Sequence, residues 1–153
     1  MTERAARAFE RQWHAGVDGG YAALFDDTSS GFGGGGHLAY GLTDAFNALV
    51  EVDVTRQPSA GTTVWSGGAG VVYTLDVARA VPYGGVLGSG YKLSGDLSKW
   101  APGFQLVLGL DYQIERNWGI GVELRWHTIL APEPIGTTAY MTSFLKAEYR
   151  WGF

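Results

Sequence analysis

Apolar and polar residues alternate along most of this chain, and the segment 118–127 shows the pattern most clearly. Trp, Ile, Val, Leu and Trp occupy every second position of that segment, with Gly, Gly, Glu, Arg and His between them. Because successive side chains of an extended strand point to opposite faces, this period of two predicts a β-strand with one apolar and one polar face. Similar segments recur between turn residues, and we predict eight strands.

The spacing of these segments predicts the topology. The predicted connections after odd-numbered strands are 26–31, 56–62, 92–101 and 128–138, and those after even-numbered strands are 43–44, 76–80 and 113–117. An even number of strands, with long connections at one end and short turns at the other, is typical of outer-membrane barrels. We therefore predict an all-β fold, an eight-stranded antiparallel up-and-down transmembrane β-barrel over 13–153, after a short N-terminal periplasmic leader over 1–12.

Glycine indicates which face points inward. The chain has 24 Gly among 153 residues, about twice the usual share. Many of them fall on the predicted polar face, at Gly16, Gly20, Gly33, Gly35, Gly41, Gly68, Gly70, Gly84, Gly88, Gly90, Gly103, Gly109, Gly119 and Gly121. An eight-stranded lumen is only just wide enough for side chains, so small residues must offset the few large ones. We therefore predict that the polar face lines the lumen and the apolar face meets lipid. A soluble barrel with its apolar face inside is the alternative.

Aromatic residues lie near the ends of the predicted strands, whereas the strand middles carry Val, Leu, Ile, Ala and Gly. The group predicted at the short-turn end is Trp13, Trp118, Trp151, Tyr40, Phe46, Tyr73, Tyr83, Tyr112, Tyr149 and Phe153. The group predicted at the other end is Trp65, Trp100, Trp126, Phe25, Phe32, Tyr91, Phe104 and Tyr140. Two aromatic girdles around an aliphatic band indicate two membrane interfaces. A general preference of aromatic residues for strands does not account for the aliphatic middles.

The chain resembles the small eight-stranded bacterial outer-membrane barrels of the OmpA barrel-domain, OmpX and OmpW group in two segments. These are the hairpin 109–126, GLDYQIERNWGIGVELRW, and the ending Tyr149-Arg150-Trp151-Gly152-Phe153. The resemblance implies a Gram-negative outer-membrane protein surrounded by lipid and lipopolysaccharide, and we expect a monomer. It also implies that Tyr149, Trp151 and Phe153 form the signal that the barrel-insertion machinery reads during assembly. The same barrel serves as anchor, adhesin, narrow pore and lipid enzyme, so the resemblance leaves the function open.

The predicted lumen carries most of the chain's chemistry. Its ionisable side chains, besides the histidines, are Asp18, Glu51, Asp53, Asp111, Glu123, Arg125, Lys146, Glu148 and Arg150. The seventh and eighth strands are neighbours, and the eighth closes onto the first, so their charged residues can share one cluster. Charges confined in this way must be paired or hydrated. We expect a salt-bridge network that fills the barrel, and a gated or narrow ion path is the alternative.

Other kinds of site have weak support. His14, His37 and His127 are too scattered to indicate a metal site, and without Cys there is neither a thiolate ligand nor a disulfide. Outer-membrane lipid A deacylases resemble the chain in size and use a His-x-Ser arrangement, but His127-Thr128-Ile129 lacks the Ser. A net charge of -4 gives no basic surface for nucleic acid. We therefore expect no cofactor, no metal and no enzymatic activity.

These observations predict a location and a function. The first eleven residues contain no apolar segment that could serve as a secretory signal, so we expect export to depend on a signal outside this sequence. We predict an integral outer-membrane barrel with a side-chain-plugged lumen and a structural or interaction role, exerted through four short extracellular loops. A narrow channel or conduit for small solutes is one alternative, and an outer-membrane lipid-modifying hydrolase is another.

Overall fold

A computed structural model describes residues 11–24, 30–57, 62–75, 79–94, 99–130 and 137–152. Its strands are β1 (Trp13–Leu24), β2 (Ser30–Gly41), β3 (Phe46–Gln57), β4 (Thr62–Thr74), β5 (Ala80–Ser94), β6 (Lys99–Gln113), β7 (Trp118–Leu130) and β8 (Thr137–Trp151). Each strand pairs antiparallel with the next, and β8 pairs with β1 to close the barrel. Within these ranges there is no helix long and apolar enough to cross a membrane. The predicted eight-stranded antiparallel barrel is confirmed, whereas most of the predicted leader lies outside the described residues.

Buried and exposed side chains alternate along the strands, and the outward faces are mostly apolar. In β3, Glu51 and Asp53 are buried, while Val50 and Val52 are 54% and 56% exposed. Because the period of two is kept in every strand, one face of each strand lines the lumen and the other faces outward. This orientation is the reverse of that in a soluble barrel.

The predicted contrast between long and short connections is wrong. The strands leave 25–29, 58–61, 95–98 and 131–136 between them at one end, and 42–45, 75–79 and 114–117 at the other. Residues that the sequence pattern assigns to loops belong to the strands instead. Lys92, for example, pairs with Trp65 of β4 and with Trp100 of β6. In a closed barrel each strand has a hydrogen-bonding neighbour on both sides, which outweighs the low strand propensity of Lys, Ser and Gly.

The predicted faces of β5 are also wrong. The sequence pattern places Gly84, Gly88 and Gly90 in the lumen, but the structure places them on the outer face. Tyr83 and Tyr91, which the pattern assigns to the girdles, are buried in the lumen. Glycine alternates with both aliphatic and aromatic residues in β5, so the strand has no clearly polar face. Its orientation is set instead by the tyrosine hydroxyl groups, which find polar partners inside the barrel.

The girdle position predicted for Tyr140 is also wrong, because the structure buries this residue in the lumen. It shares its face of β8 with Thr142, Phe144 and Lys146. Since this face is the interior one, Tyr140 follows the parity of its strand rather than the tendency of aromatic rings to lie at interfaces.

Glycine does make room inside the barrel at particular positions. A Cβ atom at Gly109 would overlap the ring of Tyr83, and one at Gly16 would overlap the ring of His37. The large side chains of the lumen therefore lie against glycine backbone, as the narrow interior requires.

Candidate functional site

Arg125 lies in the middle of the lumen and connects opposite walls of the barrel. Its Nη1 donates to Asp53 Oδ2 of β3 at 2.6 Å and lies 3.2 Å from Glu51 Oε2, and its Nη2 donates to Asp18 Oδ2 of β1 at 3.0 Å. Its Nε donates to Glu123 of β7. β7 and β3 are four strands apart in either direction around the barrel. The ion pair between Arg125 and Asp53 therefore spans the lumen.

A second cluster of charges lies nearer the chain termini. Glu148 accepts a hydrogen bond from Arg150 Nε at 2.7 Å and lies 3.6 Å from Lys146 Nζ. Lys146 Nζ is 3.0 Å from Asp111 Oδ2 and 4.3 Å from the centroid of the Tyr83 ring. The Tyr83 hydroxyl donates to Glu123 Oε2 at 2.5 Å, which joins this cluster to the one around Arg125.

Two histidines join the network, and His37 links its two clusters. His14 Nδ1 lies 3.0 Å from Glu148 Oε1, and His37 Nε2 lies 3.2 Å from Glu148 Oε2. The other ring nitrogen of His37 is 3.8 Å from Asp18 Oδ2. The structure thus places all nine ionisable residues expected in the lumen inside the barrel, and adds His14 and His37 to their network. The parity of β1 and β2 already puts both histidines on the lumen face.

Carboxylates outnumber cations in this network. The acidic members are Asp18, Glu51, Asp53, Asp111, Glu123 and Glu148, and the permanent cations are Arg125, Lys146 and Arg150. Asp18 Oδ1, Asp53 Oδ1 and both carboxylate oxygens of Glu51 accept no hydrogen bond from the part of the chain that is described. Because an uncompensated buried charge is costly, the carboxylates must share the three cations in one network rather than form isolated pairs.

The half of the lumen away from the termini is filled by rings and neutral polar groups. The Tyr91 hydroxyl lies 3.3 Å from His127 Nδ1, and His127 Nε2 lies 3.1 Å from the Thr142 hydroxyl. The rings of His127 and Tyr140 stack with their centroids 4.2 Å apart. Val64, Ala101 and Ile129 pack around Tyr91 and Tyr140 in one buried cluster. We name Tyr91, His127, Tyr140 and Thr142 the aromatic layer.

The aromatic layer is not evident from the sequence pattern, which assigns both tyrosines to the membrane girdles. The layer also bears on catalysis, since His127 is the candidate base of a His-x-Ser arrangement. His127 is 1% exposed, and both of its ring nitrogens face hydroxyl groups. A buried base of this kind is out of reach of a lipid substrate.

The lumen is not filled evenly. A cavity of about 40 Å³ lies in the half nearer the termini. Its charged wall includes His14, Asp111 and Glu148, and its apolar wall includes Leu49 and Val72. This volume can hold a few water molecules, and the polar groups around it supply the hydrogen bonds that such waters need.

Aromatic side chains surround the outside of the barrel near both ends. Trp13, Trp65, Trp118, Trp126 and Trp151, which we expect at membrane interfaces, are all exposed. At the end that carries the termini, the rings of Trp118 and Tyr149 lie 5.0 Å apart, and those of Tyr149 and Trp151 lie 6.2 Å apart. Phe153, the last residue of the expected insertion signal, lies outside the described residues.

Solved structures of bacterial outer-membrane proteins share this fold. Neisserial surface protein A is 20% identical with a TM-score of 0.72, and the match covers 93% of this chain and 96% of that one. The N-terminal β-barrel domain of OprF from Pseudomonas aeruginosa is 13% identical with a TM-score of 0.70, covering 93% and 98%. Ail, the attachment invasion locus protein of Yersinia pestis, is 13% identical with a TM-score of 0.59, covering 93% and 99%. No protein-family model matches the sequence, and no curated protein matches it significantly. The chain has the fold of the small eight-stranded outer-membrane barrels, as its resemblance to them predicts.

Proposed function

We propose that the protein is an integral outer-membrane barrel with a plugged lumen, whose role is structural or is exerted through contacts of its short extracellular connections. The observation that carries the plugged lumen is the position of Arg125. Its guanidinium group contacts carboxylates of β1, β3 and β7 and so occupies the centre of the barrel. Buried ion pairs that span an eight-stranded lumen leave little room for a solute.

The outer surface supports the membrane location. Val17, Leu108 and Leu145 are 65%, 64% and 70% exposed, and they lie on different strands. An apolar surface that runs around a whole barrel far exceeds the patches that monomeric soluble proteins expose. In lipid the same surface is stable, and the aromatic residues near its ends suit the two interfaces.

The topology supports an orientation. The start of β1 and the end of β8 lie at the end that carries the connections 42–45, 75–79 and 114–117, whereas the longest connection, 131–136, lies at the opposite end. Barrels of this class carry their longer connections on the outside, so we place the end with 42–45, 75–79 and 114–117 in the periplasm. The connections 25–29, 58–61, 95–98 and 131–136 would then face outside, where they can meet a partner. Lipopolysaccharide would surround the outer half of the barrel. Tyr149 and Trp151 are exposed at the periplasmic end, where the insertion machinery can read them during assembly.

Single-channel recording in planar bilayers tests the plugged lumen. We expect no steady openings from the wild-type barrel, because Arg125 and the aromatic layer close its centre. Steady openings whose conductance changes in Lys146→Gln or Glu123→Gln would refute the plug, since both residues lie inside the lumen. Arg56→Gln is the matched control, because Arg56 is exposed on the outer face of β3.

A narrow ion path is the second candidate. It is supported by the cavity beside Glu148 and by the carboxylate oxygens of Glu51 and Asp53 that lack hydrogen-bond donors among the described residues. Water in the cavity half of the lumen would reach the extracellular side only if the aromatic layer opened. Removal of the Tyr91 ring in Tyr91→Ala should then raise the conductance of a channel sharply, whereas a barrel plugged at Arg125 stays closed.

A further inference from the structure

A groove runs over the outer surface of β4 and β5. The strand register places Gly67 of β4 beside Gly90 of β5, and Ala69 beside Gly88. These four residues, which we name the groove floor, all point away from the lumen. Larger outward residues flank them, with Val50 and Val52 of β3 on one side and Pro102 and Phe104 of β6 on the other. The open volume at the outer part of the groove is about 440 Å³, which is within the range of small-molecule sites.

Packing within the chain does not require the glycines of the groove floor. A Cβ atom at Gly90 would meet nothing within 4 Å, and one at Gly67 would meet its nearest atom, the carbonyl oxygen of Glu51, at 3.7 Å. The lumen glycines differ, because a Cβ atom at Gly16 or Gly109 would overlap a neighbouring ring. The space above the groove floor is therefore available to a partner outside the chain.

The groove has a cationic end between two indole rings. The row of outward residues next to Gly67 and Gly90 is Trp65, Lys92 and Trp100, in the order of the strands. Lys92 Nζ lies 5.8 Å from the centroid of the Trp100 ring, and both Trp side chains are exposed. This row lies at the end of the barrel away from the termini. A lysine at a membrane interface attracts the anionic headgroups of lipids. Trp residues are also enriched at the level of these headgroups.

We propose that this groove binds one lipopolysaccharide molecule of the outer leaflet, with an acyl chain over the groove floor and a lipid A phosphate at Lys92. The assignment to the outer leaflet rests on the orientation given under the proposed function. An acyl chain gains no hydrophobic free energy by leaving the bilayer, so the groove must select it by close packing, to which many weak carbon–carbon contacts contribute. The acyl chain and the phosphate complement the apolar groove and its cationic end, respectively.

Native mass spectrometry of the detergent-solubilised barrel, titrated with purified lipid A, tests this proposal. We expect one lipid A molecule per wild-type barrel. Gly90→Leu should weaken the affinity about tenfold, roughly the effect of ten lost carbon–carbon contacts. Lys92→Gln should weaken it about fivefold, the usual contribution of one cation near an anionic surface. Gly67→Leu fills the same groove from β4 and serves as a second variant if Gly90→Leu does not fold.

Matched controls sit elsewhere on the barrel. Ala48→Leu adds similar bulk to an outward position of β3 at the other end, and Arg79→Gln removes an exposed charge at that same end. Both should bind lipid A like the wild type.

Equal binding by the filled variants, or equal binding of neutral phosphatidylcholine, would overturn the proposal. A wild-type dimer that disappears in Gly90→Leu would also overturn it, because the groove would then hold a second copy of the chain. Conductance measures the lumen and not this surface, so an open channel would refute the plug without affecting the groove.

Discussion

The two halves of the lumen differ in chemistry and in packing. The half nearer the termini holds ion pairs around Glu148 and Lys146 and contains a cavity of about 40 Å³. The other half holds the aromatic layer and the apolar cluster around it. Arg125 lies between them and contacts the carboxylates of three strands. One barrel can thus be closed by charge at its centre and by packed rings toward one end, while room for water remains toward the other.

A substitution at the boundary between the halves should lower the stability of the barrel most. Arg125→Leu leaves four buried carboxylates without their shared cation, so we expect a loss of about 5 kcal/mol in the free energy of unfolding, or failure to fold. Urea titration in lipid vesicles, read by the gel mobility of the folded barrel, measures this loss. Arg56→Leu is the control, because Arg56 is exposed, and it should change stability by less than about 0.5 kcal/mol. Equal effects of the two substitutions would show that Arg125 is not the centre of the network.

The packed half should respond strongly to the loss of a ring. Tyr91 is completely buried against Tyr140 and His127. Tyr91→Ala should therefore cost about 3 to 4 kcal/mol, as large-to-small changes in packed interiors do. The same urea titration checks it, with Tyr73→Ala on the outer face as the control. A cost below about 1 kcal/mol would mean that this half is as loosely filled as the other.

The two halves should also differ in their tolerance of added bulk. Ala101 belongs to the packed cluster around Tyr91, whereas Ala39 lines the cavity. Ala101→Val should cost about 2 kcal/mol through overpacking, while Ala39→Val should be neutral or slightly stabilising because it fills open space. Unfolding midpoints of the two variants, measured side by side, provide the test. The reverse order would contradict the difference in packing.

The smallest effect concerns one hydrogen bond in the charged half. Tyr83→Phe removes the donor to Glu123 and leaves the ring under Lys146 in place. We expect a loss of about 1 kcal/mol, the net value of a single buried hydrogen bond. Tyr112→Phe on the outer face should be neutral. An unchanged stability of Tyr83→Phe would indicate that water replaces the hydroxyl group in the cavity half.

Much of this architecture follows from the alternation of inward and outward positions along each strand. Once a strand alternates clearly, as β7 does, the position of one residue fixes the face of all the others. This is why Glu123 and Arg125 could be assigned to the lumen from sequence. β5 carries glycine on both faces, so the same reasoning failed there and misplaced Tyr83 and Tyr91.

The partners of the lumen charges were harder to predict than their face. Sequence order suggests that Arg125 pairs with neighbours on β7, β8 and β1, but two of its carboxylates, Glu51 and Asp53, come from the opposite strand β3. Distances across a barrel depend on its stagger and diameter, which no single strand encodes. The strand ends were misjudged for a similar reason, because backbone pairing with both neighbours extends strands through Lys92 and other residues of low strand propensity.

A crystal structure of the barrel grown in lipid, at a resolution that shows ordered water, tests the plugged lumen most directly. We expect waters in the cavity between Glu148 and the apolar wall of Leu49 and Val72, and none between Arg125 and the aromatic layer. A continuous file of waters from one end of the barrel to the other, past Arg125 and Tyr91, would contradict it.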